Sequence, residues 1–167
     1  SVAKGTKSFA APPARPAKSR IVLIDRPGSP QSVIVGAQLT PVNPRGDIVP
    51  VSAASEVLGG NFLSRINTDL RETKGWSYGV NGNFALNQNA VPYLVSAPVQ
   101  ADRTGDSIAA LNQNINDLLG QKGVTSEELT RLVANNVNAL PGRFETSSAV
   151  LNALMSNALY GRPDDYQ

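Results

Sequence analysis

The alternation of apolar and polar positions divides the chain into strands and helices. Short apolar runs and two-residue alternation predict four strands, at 21–25, 31–39, 77–86 and 91–99. Apolar positions at three- and four-residue spacing predict five helices, at about 47–58, 61–73, 104–119, 125–140 and 143–159. The strands come in consecutive pairs with short connections, which is typical of hairpins. We therefore expect an α+β fold, with a largely antiparallel sheet and helices packed on one of its faces.

Short motifs predict where these helices begin and end. Thr125 and Glu128 have the spacing of a capping box, in which each side chain hydrogen-bonds the backbone of the other residue. Glycine and proline predict helix ends at Gly59-Gly60, Gly75 and Pro141-Gly142. In the second helix, Phe62, Ile66 and Leu70 are spaced four apart and are expected to form one buried stripe.

The leading segment differs in composition from the rest of the chain. Residues 1–19 are rich in Ala, Pro, Lys and Ser, a composition that favours extended backbone. We interpret 1–19 as a linker from an upstream domain or as a terminal tail, and 20–167 as one domain. Five of the 15 basic residues precede the first acid, Asp25, which leaves ten basic residues against 13 acidic ones. We therefore expect no nucleic-acid surface on the domain, and no apolar run approaches the roughly 18 residues of a membrane span.

The chain contains no histidine and no cysteine. A Ser-His-Asp triad, a cysteine nucleophile and an ordinary zinc site are therefore excluded. Carboxylates can hold magnesium or calcium, but the acidic residues are scattered and lack the spacing of a calcium-binding loop. We expect the chain by itself to hold no metal and to be inactive as a catalyst.

One arginine and one tyrosine are placed to share a site. Arg71 is predicted in the last turn of a helix, and Tyr78 follows seven residues later at the start of a strand. A tight turn at Gly75 would bring the two side chains together, and together they could donate hydrogen bonds to one carbonyl oxygen. Each residue also has a structural interpretation, because the helix macrodipole favours Arg71 and because Tyr78 is in phase with the apolar face of its strand. From these residues alone, the structural interpretation is favoured.

Other residues nearby have weaker functional interpretations. Trp76 is expected to pack at the turn or to face a substrate. Gly59-Gly60 is not followed by Gly-Lys-Ser or Gly-Lys-Thr, so a break between two helices is favoured over a phosphate-binding loop. Two surface ion pairs are expected, Arg65 with Asp69 and Arg71 with Glu72.

The segment from Leu58 to Tyr78 resembles a known signature. Its residues Leu-Gly-Gly-x-Phe-x-Ser-Arg-x-Asn-x-x-Leu-Arg-Glu-x-x-Gly-x-x-Tyr are similar to those of the metal-free C-terminal half of pitrilysin/insulinase-family zinc peptidases. Segments 22–28, 31–32, 123–129 and 143–146 also resemble parts of that family. The resemblance covers about 20–166 and implies a metallopeptidase-like α/β roll.

The resemblance implies a mechanism that is shared between two domains. Family members bind zinc in a homologous N-terminal domain, on a helix with an inverted His-x-x-Glu-His motif, and a zinc-bound water attacks the peptide bond. The C-terminal half closes over an extended peptide, and its arginine and tyrosine contact the carbonyl group at the scissile bond. These two residues correspond here to Arg71 and Tyr78 only. The zinc-binding domain is expected in cis or as a homologous subunit in trans, and resemblance to bacterial members favours the periplasm.

Two departures from the family pattern leave alternatives open. The zinc motif is absent, which also fits a non-catalytic scaffold or partner subunit of the same fold. The sequence stops before the final helix and strand elements of the family domain, so we expect a truncated fragment of a longer protein. A third and unrelated interpretation is a peptide-binding module that uses an exposed sheet edge.

Overall fold

Two antiparallel pairings build the sheet in the computed structural model, which describes residues 5, 27–87 and 90–166. Strand β1 (Gln31–Thr40) pairs along its whole length with β3 (Val91–Gln100), and β2 (Asn81–Phe84) pairs with the other side of β3. The strand order among the described residues is β1-β3-β2. The predicted antiparallel sheet is confirmed, whereas the predicted strand at 21–25 and the linker at 1–19 fall outside the described segments, Gly5 excepted.

Strand β2 is shorter than predicted, and its start moves away from Tyr78. The prediction placed the strand at 77–86, but the ladder begins only at Asn81. The hydroxyl group of Ser77 accepts a hydrogen bond from the backbone N–H of Gly79 and has the carbonyl oxygens of Gly79 and Pro98 within reach of its one proton. Such local bonds give the backbone an alternative to the sheet ladder. Tyr78 therefore lies in a bend that precedes the strand.

The first two helices both end in a wider, π-helical turn. Helix α1 comprises an α-helix, Val49–Ser55, and a π-helix, Glu56–Gly60; α2 comprises Arg65–Asn67 and a π-helix, Thr68–Thr73. The predicted start of α2 at residue 61 is wrong. The side chain of Asn61 accepts a hydrogen bond from Leu63 N–H and donates one to the carbonyl oxygen of Glu56, which stabilises a turn in place of a helix start.

The three later helices follow the sequence pattern closely. Helix α3 spans Thr104–Leu119, as predicted, and α4 (Ser126–Arg143) begins with the predicted capping box between Thr125 and Glu128. The predicted end of α4 near residue 140 is wrong, because Pro141 lies within the last turn, where a missing N–H removes only one hydrogen bond. Helix α5 spans Ser147–Tyr160 and starts at a Thr146 cap, later than the predicted 143. None of the helices at 27–87 and 90–166 is long and apolar enough to cross a bilayer.

One face of the sheet carries the core. Ile66 and Leu70 of α2 are fully buried against Ala97 and Val99 of β3 and Leu111 of α3. On the opposite face of β1, Val33 and Val35 are 65% and 70% exposed. The expected arrangement, with helices packed on one face of the sheet, is therefore confirmed.

The glycines at the end of α1 permit a close contact with the sheet. A Cβ atom on Gly59 would lie 2.6 Å from the backbone nitrogen of Gly82 in β2 and 2.6 Å from the Cδ1 atom of Ile66. Real Cβ atoms do not approach other atoms so closely, so only glycine fits at this position. Gly59 therefore allows the end of α1 to lie directly on β2. The Gly59-Gly60 sequence thus serves this close packing as well as the break between the two helices.

Candidate functional site

Arg71 and Tyr78 lie on either side of a tight turn beside the sheet. Arg71 is in the last turn of α2, and the chain then reverses at Gly75, which has a φ of 66°. The backbone N–H of Trp76 donates to the carbonyl oxygen of Leu70 at 2.9 Å. The backbone N–H of Gly75 donates to the carbonyl oxygen of Arg71 at 3.2 Å. The left-handed conformation favours glycine, so the helix end predicted at Gly75 is confirmed.

Asn67 connects three segments around this turn. Asn67 is buried, with 3% of its surface exposed. Its side-chain Nδ2 donates to the carbonyl oxygen of Phe62 at 2.7 Å. Its Oδ1 accepts from the backbone N–H of Val80 at 2.9 Å. The turn before α2, the helix itself and the segment after Tyr78 are therefore held together by one side chain.

A pocket of about 340 Å³ lies at the junction of these segments. Its lining residues come from the end of α1, the turn before α2, α2 itself and the start of β2: Gly59, Gly60, Asn61, Phe62, Asn67, Arg71, Gly79, Val80 and Asn81. Tyr78 is the residue directly before Gly79 and is 87% exposed. The interpretation of Tyr78 as a core residue is therefore wrong, because the backbone bends at Tyr78, between the bridged Ser77 and the buried Val80, and the Tyr78 side chain faces solvent.

The side chain of Arg71 is held on two sides. Its guanidinium carbon lies 4.4 Å from the centre of the Phe62 ring, and its Nε atom is 3.2 Å from a carboxylate oxygen of Glu72. The predicted ion pair of Arg71 with Glu72 is therefore present. The Arg71 side chain remains 37% exposed, so it is accessible to a ligand in the pocket.

Sequence reasoning missed two residues of this site, Phe62 and Asn67. Phe62 was expected in the buried stripe of α2 but is 56% exposed, because it lies in the turn before the helix begins. Asn67 is a polar residue within a helical segment, and its burial between two backbone groups depends on contacts with residues five and 13 positions away. The pattern of apolar positions carries no signal for either placement.

Trp76 packs beside the turn. It contacts the core cluster, and its ring lies 5.6 Å from the Lys74 ammonium group and 5.9 Å from the Arg103 guanidinium carbon. The backbone N–H of Gln100 donates to its carbonyl oxygen at 2.9 Å. Trp76 is not among the residues that line the pocket beside Arg71. This arrangement fits the packing interpretation of Trp76.

A second cluster, centred on Arg65, joins α2 to the start of α4. The Nε and Nη2 atoms of Arg65 each lie 2.7 Å from a carboxylate oxygen of Glu128, and Arg65 also donates to the carbonyl oxygens of Lys122 and Gly123. Hydrogen bonds from Arg65, with a further contribution from Thr125, lower the pKa of Glu128 to about 2. The predicted pair of Arg65 with Asp69 is wrong, since a bidentate partner 63 residues away is geometrically better.

The described residues offer no metal centre. In segments 27–87 and 90–166, no group of three or more histidine, cysteine, aspartate or glutamate side chains could hold an ion. The arrangement around Arg71 is instead one of hydrogen-bond donors at an open pocket, which can bind and polarise a carbonyl group.

Comparisons with known proteins identify the fold. A family model described as "Peptidase M16 inactive domain" matches residues 4–136. A solved peptidase M16 inactive domain from Pseudomonas fluorescens is 22% identical with a TM-score of 0.73, over 81% of this chain and 32% of that one. An inactive peptidase domain from Bordetella parapertussis is 20% identical with a TM-score of 0.65, over 84% of this chain and 76% of that one.

A third similar structure is that of a larger protein. The periplasmic protease PqqL from Escherichia coli is 17% identical with a TM-score of 0.64, over 80% of this chain and 15% of that one. No curated protein sequence matches the chain at a significant level. The chain thus spans about a third of the Pseudomonas structure and a smaller share of PqqL.

Proposed function

Since this chain belongs to the M16 peptidase family as an inactive domain, we propose that it is the substrate-binding half of a zinc-dependent peptidase. In this function, the domain covers an extended peptide, and Arg71 and Tyr78 contact the carbonyl group of the scissile bond. The residues of this chain do not fit a zinc ion, because histidine and cysteine are absent from the sequence. The metal belongs to a homologous domain, in cis or in trans.

The observation that carries the proposal is the placement of Arg71 and Tyr78. Arg71 lines the pocket at the junction of α1, α2 and β2, and Tyr78, 87% exposed, directly precedes the pocket residue Gly79. Packing within the domain does not explain an exposed phenol group. Both groups donate hydrogen bonds, and such donors act most strongly on an oxygen that gains negative charge in a transition state.

The charge of Arg71 suits this role. A guanidinium group carries a positive charge and offers several N–H donors in one plane. Its Nε atom faces Glu72, which leaves the terminal nitrogens for a ligand. Arg71 and Tyr78 therefore bind and polarise the substrate, whereas neither generates a nucleophile.

The experiment uses the parent protein together with its zinc-binding domain. Tyr78→Phe removes one hydroxyl donor and is expected to lower kcat by about 100-fold, the typical cost of losing one oxyanion donor. Arg71→Lys is expected to lower kcat/KM, because lysine lacks the planar fork. Arg131→Lys, on the exposed surface of α4, is the matched control. Unchanged turnover in both Tyr78→Phe and Arg71→Lys would overturn the proposal.

The same measurement separates the alternative function, a non-catalytic scaffold or partner subunit. Such a protein would show no peptide hydrolysis even when its partner domain holds zinc. The β2 edge of the sheet is a weaker site, because Ser55 Oγ donates to the Gly82 carbonyl oxygen and Gly59 covers the middle of β2. The periplasmic location of the similar E. coli protease supports a periplasmic location for this protein.

A further inference from the structure

Phe62 is an apolar residue that the fold holds at the surface. Its side chain is 56% exposed, although the neighbouring residues Ile66 and Leu70 are fully buried. The backbone around it is well fixed. Asn67 Nδ2 donates to the Phe62 carbonyl oxygen at 2.7 Å, and the Asn61 side chain closes the turn through Leu63 N–H. The backbone of Phe62 is thus held by hydrogen bonds and not by burial of its ring.

The guanidinium group of Arg71 lies close to the exposed ring. The separation of 4.4 Å between the guanidinium carbon and the ring centre is within the range of a cation–π contact. Phe62 and Arg71 are nine positions apart in the sequence, so the contact depends on the turn at 61–64 and on the start of α2 at Arg65. Both side chains also line the pocket beside Gly79.

A free arginine side chain loses rotamer entropy when it becomes fixed. Contact with Phe62 on one side and with Glu72 at Nε removes much of this freedom before any ligand arrives. A guanidinium group that is already oriented loses less entropy when it binds, which is the general advantage of preorganisation.

We propose that Phe62 is a positioning residue, whose ring holds the Arg71 guanidinium group in the orientation from which it donates to a substrate carbonyl group. This inference rests on the function proposed above. Phe62 acts through Arg71 and needs no contact of its own with the reacting atoms.

The first test measures the Arg71 side chain directly, in the 167-residue chain. The ¹⁵N relaxation of the Arg71 Nε–Hε group gives its order parameter in the wild type, in Phe62→Leu and in Phe62→Trp. We expect the order parameter to fall below about 0.6, a value typical of flexible groups, in Phe62→Leu only. Arg103, which lies beside Trp76, is the internal control and should not change. An Arg71 order parameter that is unaffected by Phe62→Leu would overturn the proposal.

The second test measures turnover in the parent protein with its zinc-binding domain. Phe62→Leu should lower kcat/KM by about two- to fivefold, the size expected for an exposed cation–π contact, and Phe62→Trp should restore it. In an Arg71→Ala background, Phe62→Leu should cause no further loss. An equal loss in both backgrounds would show that Phe62 acts independently of Arg71 and would contradict the proposal.

The two tests also separate this inference from the proposed function. If Arg71→Ala is fully active, the proposed function fails and the positioning role fails with it, whatever the relaxation data show. If Arg71→Ala is impaired while Phe62→Leu keeps a rigid Arg71 and full turnover, only the role of Phe62 is wrong.

Discussion

The side-chain oxygen of Asn67 accepts a hydrogen bond from the backbone N–H of Val80 at 2.9 Å. Because the amide nitrogen of the same side chain donates to Phe62, Asn67 ties α2 both to the turn before it and to the segment after Tyr78. Arg71 is one helical turn further along α2, and Tyr78 is two residues before Val80. The relative position of the two proposed substrate contacts therefore depends on this buried amide.

Replacement of Asn67 should destabilise the domain. Asn67→Ala leaves the N–H of the buried Val80 without its partner, and we expect the free energy of unfolding to fall by about 2–3 kcal/mol. Asn67→Asp keeps the acceptor for Val80 but buries a carboxylate against the Phe62 carbonyl oxygen, so it should also destabilise the domain. Urea unfolding followed by circular dichroism measures both changes. Asn138→Ala, at an exposed position of α4, is the control, and an equal effect of the control would contradict this role.

A pair of glycine substitutions tests the contact between α1 and β2. Gly59→Ala places a methyl group within 2.6 Å of Gly82 and Ile66, and we expect a loss of about 2 kcal/mol or more. Gly105→Ala adds the same methyl group to α3, where no atom lies within 4 Å, and should stabilise by about 0.4–1 kcal/mol. Melting temperatures of the two variants should therefore move in opposite directions. A Gly59→Ala variant that melts no lower than the wild type would show that packing does not constrain Gly59.

The pair of Arg65 with Glu128 predicts a dependence of stability on acid pH. The pKa of Glu128 is about 2 in the folded protein and 4.5 in its ordinary state, so the unfolded chain binds the proton more tightly. Its contribution is therefore fully present above about pH 4.5 and is lost as the pH falls towards 2. Urea unfolding at a series of pH values measures it.

Two variants isolate that contribution. Glu128→Gln should be less stable than the wild type at pH 7, and the difference should shrink as the pH falls towards 2, because the wild type then loses the same charge. Glu127→Gln, one residue earlier in the first turn of α4, is the control for removal of a charge. A difference between wild type and Glu128→Gln that does not vary with pH would rule out the ion pair as its cause.

Metal analysis tests whether zinc binding belongs to the other proposed domain and not to this chain. We expect the isolated chain to bind no stoichiometric zinc in equilibrium dialysis, because it has no histidine or cysteine. One tight zinc per chain would contradict this expectation.

Tyr78→Phe in the isolated chain should leave the melting temperature unchanged, since the side chain is 87% exposed. A large loss of stability would assign Tyr78 a structural role.

The sequence by itself determined the elements whose signals are local. The limits of α3, the capping box of α4 and the left-handed turn at Gly75 all depend on residues within one or two helical turns, and each prediction was confirmed. The absence of histidine and cysteine is likewise a property of composition alone. The resemblance to the family motif predicted Arg71 and Tyr78 as the residues that contact a substrate carbonyl group, which is the role proposed above.

Only the tertiary structure decided how these elements meet. The exposure of Phe62, the two partners of Asn67, the contact of Gly59 with Gly82 and the pairing of Arg65 with Glu128 were all missed. Each depends on where a side chain or backbone group finds its partner in space, and periodicity cannot specify that partner. A period reports which face of a segment is apolar, whereas these contacts depend on how segments are packed against one another.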